Sequence, residues 1–292
     1  MAALTLSILG SGSSGNGAVL VLESESRRRA ILIDLGLSRR RTLAGLAALR
    51  LGPADLAAAV VTHLDRDHYL AGWGESLAAW GIPLYLHERH RGEARSRGVP
   101  PAAVRHYSGR FLPADGIEAD PLLAAHDEWG SVAFRFRTAA GDLAWATDLG
   151  RVPRALPRHF AGARILAIES NYCPRRQEAS PRPAFLKQRI TGGRGHLSNE
   201  QAIAAVAEIA AAGGLPDHLV LLHLSEECNC PAYLRSLVAE RLPAAAQRLA
   251  IAGRGGVDEP LRIAGRPAAM PGLFEHAAAE LSTSGDRCGA AS

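Results

Sequence analysis

The segment His63-Leu-Asp-Arg-Asp-His68 places two imidazoles and two carboxylates within six residues. Imidazole nitrogen and carboxylate oxygen together suit divalent transition metals. Taken alone, the same six residues also read as a polar turn from strand to helix, with Asp65 or Asp67 as an N-cap. Three later residues change the balance. His126 lies in Ala-Ala-His-Asp-Glu, Asp148 ends Leu-Ala-Trp-Ala-Thr-Asp, and His223 ends Leu-Val-Leu-Leu-His. A lone histidine is more often a structural residue. An ordered set, each member at or near the end of a β segment, points to a metal site. His196 follows Gly193-Arg-Gly195 and precedes a helix start, so it belongs to a loop. There it either meets a substrate phosphate and protonates a leaving oxygen, or packs against the helix N-terminus.

These residues need strands that end together. Apolar patterning predicts strands over 4–9, 18–23, 29–34, 57–62, 83–87, 132–138, 143–148, 164–169 and 218–224. Helices are predicted over 39–49, 70–80, 199–212 and 231–242, the third entered through Ser198 and stopped by Gly213-Gly214. Segments 248–252 and 260–263 are predicted to form a last hairpin. Gly10-x-Gly12-x-x-Gly15 matches the dinucleotide fingerprint, but a strand follows it where a phosphate-binding helix is required. It reads either as a plain tight glycine turn or as one whose Ser13, Ser14 and Asn16 edge a pocket. One domain is expected over 1–265, with a mobile tail over 266–292.

Hydrophobic residues make up 47% and charged residues 21% of the 292 positions, enough for a sizeable core. That excludes a disordered chain, and four cysteines do not make a disulfide scaffold. Residues 1–9 lack a leader pattern, and no apolar run reaches the roughly 18 to 20 residues of a membrane span. A cytoplasmic protein with no membrane partner is the expectation, and no pattern indicates an oligomeric state.

The order His-x-[His/Asp]-x-Asp-His, His, Asp, His resembles that of the metallo-β-lactamase fold hydrolases, with Asp34 in Ile-Leu-Ile-Asp-Leu-Gly matching their early structural aspartate. Glu169-Ser-Asn-Tyr172, Phe185-Leu-Lys-Gln-Arg189, Gly195-His-Leu-Ser-Asn199 and Leu222-His-Leu-Ser225 are similar to motifs of the WalJ-type branch, whose members are associated with exonuclease activity. The resemblance spans about residues 4–265. It implies an α/β (α+β) fold, a four-layer αββα sandwich with two divalent metal ions, Zn²⁺ or Mn²⁺, at one edge. Carried over by position, His63, Asp65 and His126 hold one ion, Asp67, His68 and His223 the other, and Asp148 bridges them. Asp67 and Asp148 also serve as catalytic groups that orient water or accept its proton. Most of the superfamily has histidine where this chain has Asp65, although some relatives, including competence-associated nuclease-like domains, carry aspartate. The third carboxylate lowers the net positive charge of the site and adds an oxygen donor, which favours Mn²⁺ relative to Zn²⁺.

Between Cys173 and His196 stand six basic residues (Arg175, Arg176, Arg182, Lys187, Arg189 and Arg194) against Glu178 alone, a surplus of five in a chain whose whole surplus is four. A basic segment beside a dinuclear site suits a nucleic-acid substrate, DNA favoured. Asn16, Asn171, Lys187, Arg189, Arg194 and His196 are the candidate substrate contacts. A metal-dependent phosphodiesterase or nuclease is thus the first reading. A hydrolase of lactones, thioesters or β-lactams is the second, and a catalytically silent nucleic-acid-binding protein the third. Cys228 and Cys230 are read as loop residues. The remaining histidines, 87, 90, 106, 159, 218 and 276, are read as surface or structural.

Overall fold

The computed structural model describes residues 1–25 and 27–265. The tail, with His276 and Cys288, lies outside the described residues. In chain order the first strands are β1 (Ala3–Gly10), β2 (Gly17–Glu23), β3 (Arg28–Ile33), β4 (Leu56–Val60), β5 (Leu84–His87) and β6 (Val104–Tyr107). They are followed by β7 (Phe111–Ala114), β8 (Ile117–Ala124), β9 (Ser131–Arg137), β10 (Leu143–Ala146), β11 (Ile165–Glu169), β12 (His218–Leu222), β13 (Leu249–Ile251) and β14 (Leu261–Ala264). Two seven-stranded sheets result, ordered β14-β1-β2-β3-β4-β5-β6 and β13-β12-β11-β10-β9-β8-β7.

Strand alternation explains how they stack, because successive side chains leave a strand on opposite faces. Leu4, Leu6, Ile8, Leu20, Ile31 and Ile33 of the first sheet meet Val132, Phe134, Phe136, Trp145, Ile165 and Val220 of the second in a shared central core. The intervening residues turn outward under helices. Val19, Val21 and Leu32 pack beneath α1 (Arg39–Ala48), α2 (Trp73–Trp80) and α3 (Arg91–Ser96) through Leu46, Trp73, Leu77 and Ala94. Over the second sheet lie α4 (Leu156–Phe160), α7 (Asn199–Gly213), α8 (Pro231–Arg241) and α9 (Pro243–Ala246), with Leu166, Ile168, Leu219 and Leu221 against Phe160, Val206, Leu234 and Ala245. Two short helices, α5 (Pro174–Ala179) and α6 (Ala184–Thr191), precede the loop that carries His196. Three apolar layers between four structural layers make the expected αββα sandwich. Strands buried on both faces read as continuous apolar runs, which is why their existence was visible in the sequence.

Two expectations change. Residues 248–252 and 260–263 do not pair with one another. β13 joins β12 in parallel, and β14 joins β1 antiparallel in the other sheet. The intervening glycine turn crosses between the sheets, with Val257 N–H donating to the Ile8 carbonyl. Free edges on β12 and β1, not the local turn, decide the pairing. The helix expected from 70 begins at Trp73, because Gly72 takes a left-handed φ of 89°. Strands β6 to β8 gave no clear apolar alternation; Pro113 and Pro121 interrupt β7 and β8, and Pro101 stands in the turn ahead of β6. Pro113 sits on the edge strand β7, where its missing N–H costs least.

Candidate metal centre

Topology gathers the donor residues at one edge. β3 and β4 run parallel, as do β10, β11 and β12, and β8 is antiparallel to β9, which is antiparallel to β10. The ends of β3, β4, β8, β10, β11 and β12 therefore face the same way. Asp34, His63, His126, Asp148, Glu169 and His223 all lie within three residues of those ends. Three of them leave their strands through left-handed backbone: Asp34 at φ 59°, Asp148 at 56° and His223 at 55°. Asp127, beside His126, adds a φ of 32°. Such dihedrals cost of order 1–3 kcal/mol each and concentrate at functional sites. Here they turn side chains inward at the sheet edge.

Neighbouring groups fix which atom each donor presents. His68 Nδ1 donates to Asp34 Oδ2 at 2.8 Å, leaving Nε2 directed at Asp148 Oδ2, 2.8 Å away, and Asp67 Oδ2, 3.6 Å away. The Thr62 hydroxyl lies 2.9 Å from His63 Nδ1 and donates to Asp34 Oδ1 at 3.0 Å. His126 Nδ1 donates to the Gly195 carbonyl at 2.9 Å, and its Nε2 lies 3.8 Å from Asp65 Oδ2 and 3.6 Å from Asp148 Oδ1. His223 stands 3.0 Å from Asp148 Oδ2 through Nδ1 and 3.4 Å from Asp67 Oδ2 through Nε2. Asp148 thus faces His126 with one oxygen and His68 and His223 with the other.

Several of these atoms are buried without a hydrogen-bond partner: His63 Nε2, both ring nitrogens of His223 and Asp148 Oδ2. An unpaired buried polar atom is expensive in a low-dielectric interior. Donors that converge closely and still fail to bond one another fit a cation. Two triplets, His63, His126 and Asp148, and Asp67, His68 and His223, each bring their donor atoms within 4.8 Å. The electrostatics agree. Burial, reinforced by neighbouring His68, holds His63 well below the usual imidazole pKa. Burial also opposes charge on His126 and His223. There the carboxylates prevail, Asp65 raising His126 to about 9 and Asp148 raising His223 to about 10. Asp148 is held well below the carboxylate range; burial alone would raise it, but His223 and His68 dominate.

A cavity of about 480 Å³ opens onto this cluster, lined by Asp65, Asp67, His126, Asp148, His196 and His223, with Ser13, Arg182, Leu186, Arg189 and Ile190 at its sides. His196 is not merely packed on the helix behind it. Its Nδ1 lies 2.6 Å from Glu169 Oε1 and 3.5 Å from Asp148 Oδ1. Glu169 is fully buried and also accepts from the Leu149 and Leu197 N–H groups. Sequence reasoning missed its role, since a carboxylate closing an apolar strand looks like a strand end. The Glu169-Ser-Asn-Tyr172 motif was the available signal. Ser198 caps α7 as expected, accepting from Gln201 N–H.

Other expected substrate contacts sit elsewhere. Asn16 is buried beneath the cluster, with Nδ2 bonded to Gly12 and Asp67 carbonyls and 2.9 Å from His68 Nε2. Asn171 is buried too and donates to the His223 carbonyl at 2.7 Å. Both brace ligand loops and do not line the cavity. On α6 the spacing of Leu186, Arg189 and Ile190 puts them on one face, which turns Lys187 away to donate to the Glu178 carbonyl. Arg194 is exposed outside the cavity, and its carbonyl accepts from Asp127 N–H. Arg189 does line the cavity, ion-paired with Asp127. Cys173 and Cys228 are buried free thiols and Cys230 is partly buried.

Known proteins share this chain's sequence and shape. The exodeoxyribonuclease WalJ of Streptococcus pneumoniae is 30% identical over 228 residues, covering 76% of this chain and 82% of its own. The exodeoxyribonuclease YycJ of Bacillus anthracis is 28% identical over 242 residues, covering 82% and 89%. Among solved structures, the metallo-β-lactamase fold protein YhfI from Bacillus subtilis superposes with a TM-score of 0.65 at 14% identity, over 89% of this chain and 99% of that one. The sequence profile described as a beta-lactamase superfamily domain matches residues 29–224. With its strand-end His/Asp cluster and two-sheet sandwich, the chain belongs to the metallo-β-lactamase superfamily.

Proposed function

We propose that this protein is a metal-dependent phosphodiesterase that cuts DNA from an end. The observation that carries this reading is one cavity holding a convergent donor cluster, an oriented histidine and two arginines, Arg182 and Arg189. Relatives named as exodeoxyribonucleases support the choice of DNA. In this reading His63, Asp65 and His126 would hold one divalent ion, Asp67, His68 and His223 would hold a second, and Asp148 would serve both. Bound there, two divalent ions acidify water and offset charge on a phosphoryl oxygen.

The chain's own groups do the rest. Asp67 and Asp148 orient the attacking water, and Asp67 receives its proton. Arg182 and Arg189 hold flanking phosphates, while Leu186 and Ile190 form an apolar wall against the sugar or base. Glu169 accepts from His196 Nδ1–H, so Nε2 is free to carry a second proton to the leaving oxygen. Three carboxylates among the donors make Mn²⁺ at least as effective as Zn²⁺.

The test is cleavage of end-labelled single- and double-stranded DNA and RNA by metal-stripped protein supplied with Mn²⁺, Zn²⁺ or Mg²⁺, beside the His68→Ala variant. The expected result is Mn²⁺-supported shortening of DNA from an end, lost in the variant. Restoration by Zn²⁺ with none by Mn²⁺ would overturn the metal preference. No cutting by protein that demonstrably holds two ions would overturn the nuclease reading in favour of a smaller ester, thioester or lactam.

A further inference from the structure

Asp65 is the donor that departs from the usual histidine, and a carboxylate differs from imidazole in more than charge. It has two oxygens, so it can grip one ion twice or spread over two ions; imidazole presents one nitrogen. The two oxygens of Asp65 are treated differently. Oδ2 points inward, 3.7 Å from His63 Nε2 and 3.8 Å from His126 Nε2. Oδ1 points outward, 3.6 Å from Arg97 Nη2. Among the described residues Arg97 is the one ion-pair partner of Asp65 that is not a histidine.

Arg97 is itself held. Glu93 Oε1 lies 2.8 Å from the same Nη2, one helical turn back on α3. Glu93 Oε2 accepts from His90 Nδ1 at 3.2 Å, and both His90 and Glu93 are buried. These residues and Asp65 wall a second cavity of about 220 Å³ behind the centre, shared with His63 and His126. Asp65 and Arg97 are 36% and 40% exposed, so as a surface pair they contribute little to stability. A buried carboxylate and imidazole committed to steadying one arginine need another reason.

We propose that Arg97 is a positioning residue that engages one oxygen of Asp65, so that the carboxylate offers the metal centre a single oxygen in the manner of an imidazole. His90 and Glu93 form the pillar that keeps Arg97 in place. This rests on the reading of Asp65 as a metal donor. Without Arg97 the carboxylate is free to chelate with both oxygens, a geometry that suits Mn²⁺ better than tetrahedral Zn²⁺.

The experiment measures Zn²⁺ and Mn²⁺ affinity by competition with a chromophoric chelator, for native protein, Arg97→Ala, Arg97→Lys, Glu93→Gln, Asp65→His and the double variant Arg97→Ala/Asp65→His. Arg97→Ala is expected to weaken Zn²⁺ binding about 10-fold or more, in line with outer partners of metal ligands, and to weaken Mn²⁺ less. Glu93→Gln should shift the ratio the same way, and Arg97→Lys should restore part of it. With Asp65→His in place, Arg97→Ala should change neither affinity. Melting of the metal-free variants controls for a merely structural role, which would lower it in both backgrounds. Equal loss of both metals, or the same loss with histidine at 65, would overturn the inference alone. Unchanged affinities in an Asp65→Ala variant would instead overturn the assignment of Asp65 as a donor, and the inference with it.

Discussion

At 2.6 Å from His196 Nδ1, the Glu169 carboxylate decides which nitrogen of that ring faces the cavity with an exchangeable proton. Because Glu169 also accepts two backbone N–H groups, it cannot swing away from the ring. His196→Ala should therefore lower kcat by about 100- to 10,000-fold, the usual span for a lost general acid, while bound metal per chain stays at the native level. Glu169→Gln should fall part of the way. Elemental content measured beside turnover checks this: equal loss of metal and rate in His196→Ala would make His196 a ligand and not an acid. The donor cluster was legible in the sequence because metal binding accepts few residue types, here His and Asp, and because each follows an apolar strand. Glu169 and the Arg97 pillar were not legible. Their roles exist only through contacts between segments far apart in sequence, and carboxylates and arginines are common for many other reasons. Asn16 and Asn171 misled for a related cause, since an amide near a site can equally brace a loop from behind.

Loops, more than strands, set the geometry of the edge. Gly36, in the loop between β3 and α1, lies against the Asp67 carbonyl so closely that a Cβ there would come within 1.7 Å of that oxygen. Asn16 N–H donates to the same carbonyl at 2.7 Å, and Gly36 N–H donates to Asn16 O at 2.9 Å. The glycine lets two loops nest beneath a donor residue. Gly36→Ala must push Asp67 outward. The expected cost is about 1–3 kcal/mol, or a fall in Tm of roughly 2–12 °C for a chain of this size. Calorimetry of the metal-free protein measures it, and an unchanged Tm would show that the loops part freely. Most strands and the main helices could be read from the sequence because runs of Val, Ile, Leu and Ala flanked by Gly and Pro carry their own signal. Short α4 to α6 and strands β6 to β8 could not, because proline interrupts the pattern and packing supplies what local preference lacks. The same limit misassigned the last hairpin, where two short apolar segments chose separate sheets.

Across the whole molecule, donors from the first sheet (His63, Asp67, His68) face donors from the second (His126, Asp148, His223), so the centre lies on the seam between the sheets. β14 closes the first sheet by pairing along β1 from Ala3↔Ala264 to Leu6↔Leu261, and it places Ile263 in the shared core. A chain ending at Pro260 should lose that buried side chain, of order 2–5 kcal/mol, and leave β1 as an open edge that invites self-pairing. Light scattering on heating should show earlier aggregation than in the full chain; identical onset would mean β1 needs no cover. The pairing also has a consequence in time. A ribosome delivers the His63 to His68 cluster early, yet His223 and then β14 emerge some 150 to 200 residues later. At about 5–20 residues per second that is an interval of roughly ten seconds or more. Through it the nascent chain displays an incomplete set of donors and a first strand that is paired with β2 on one side and open on the other. The set of donors that spans both sheets is thus complete only once His223 has emerged, and a cell short of the ion would meet chains whose two sheets lack their shared clasp.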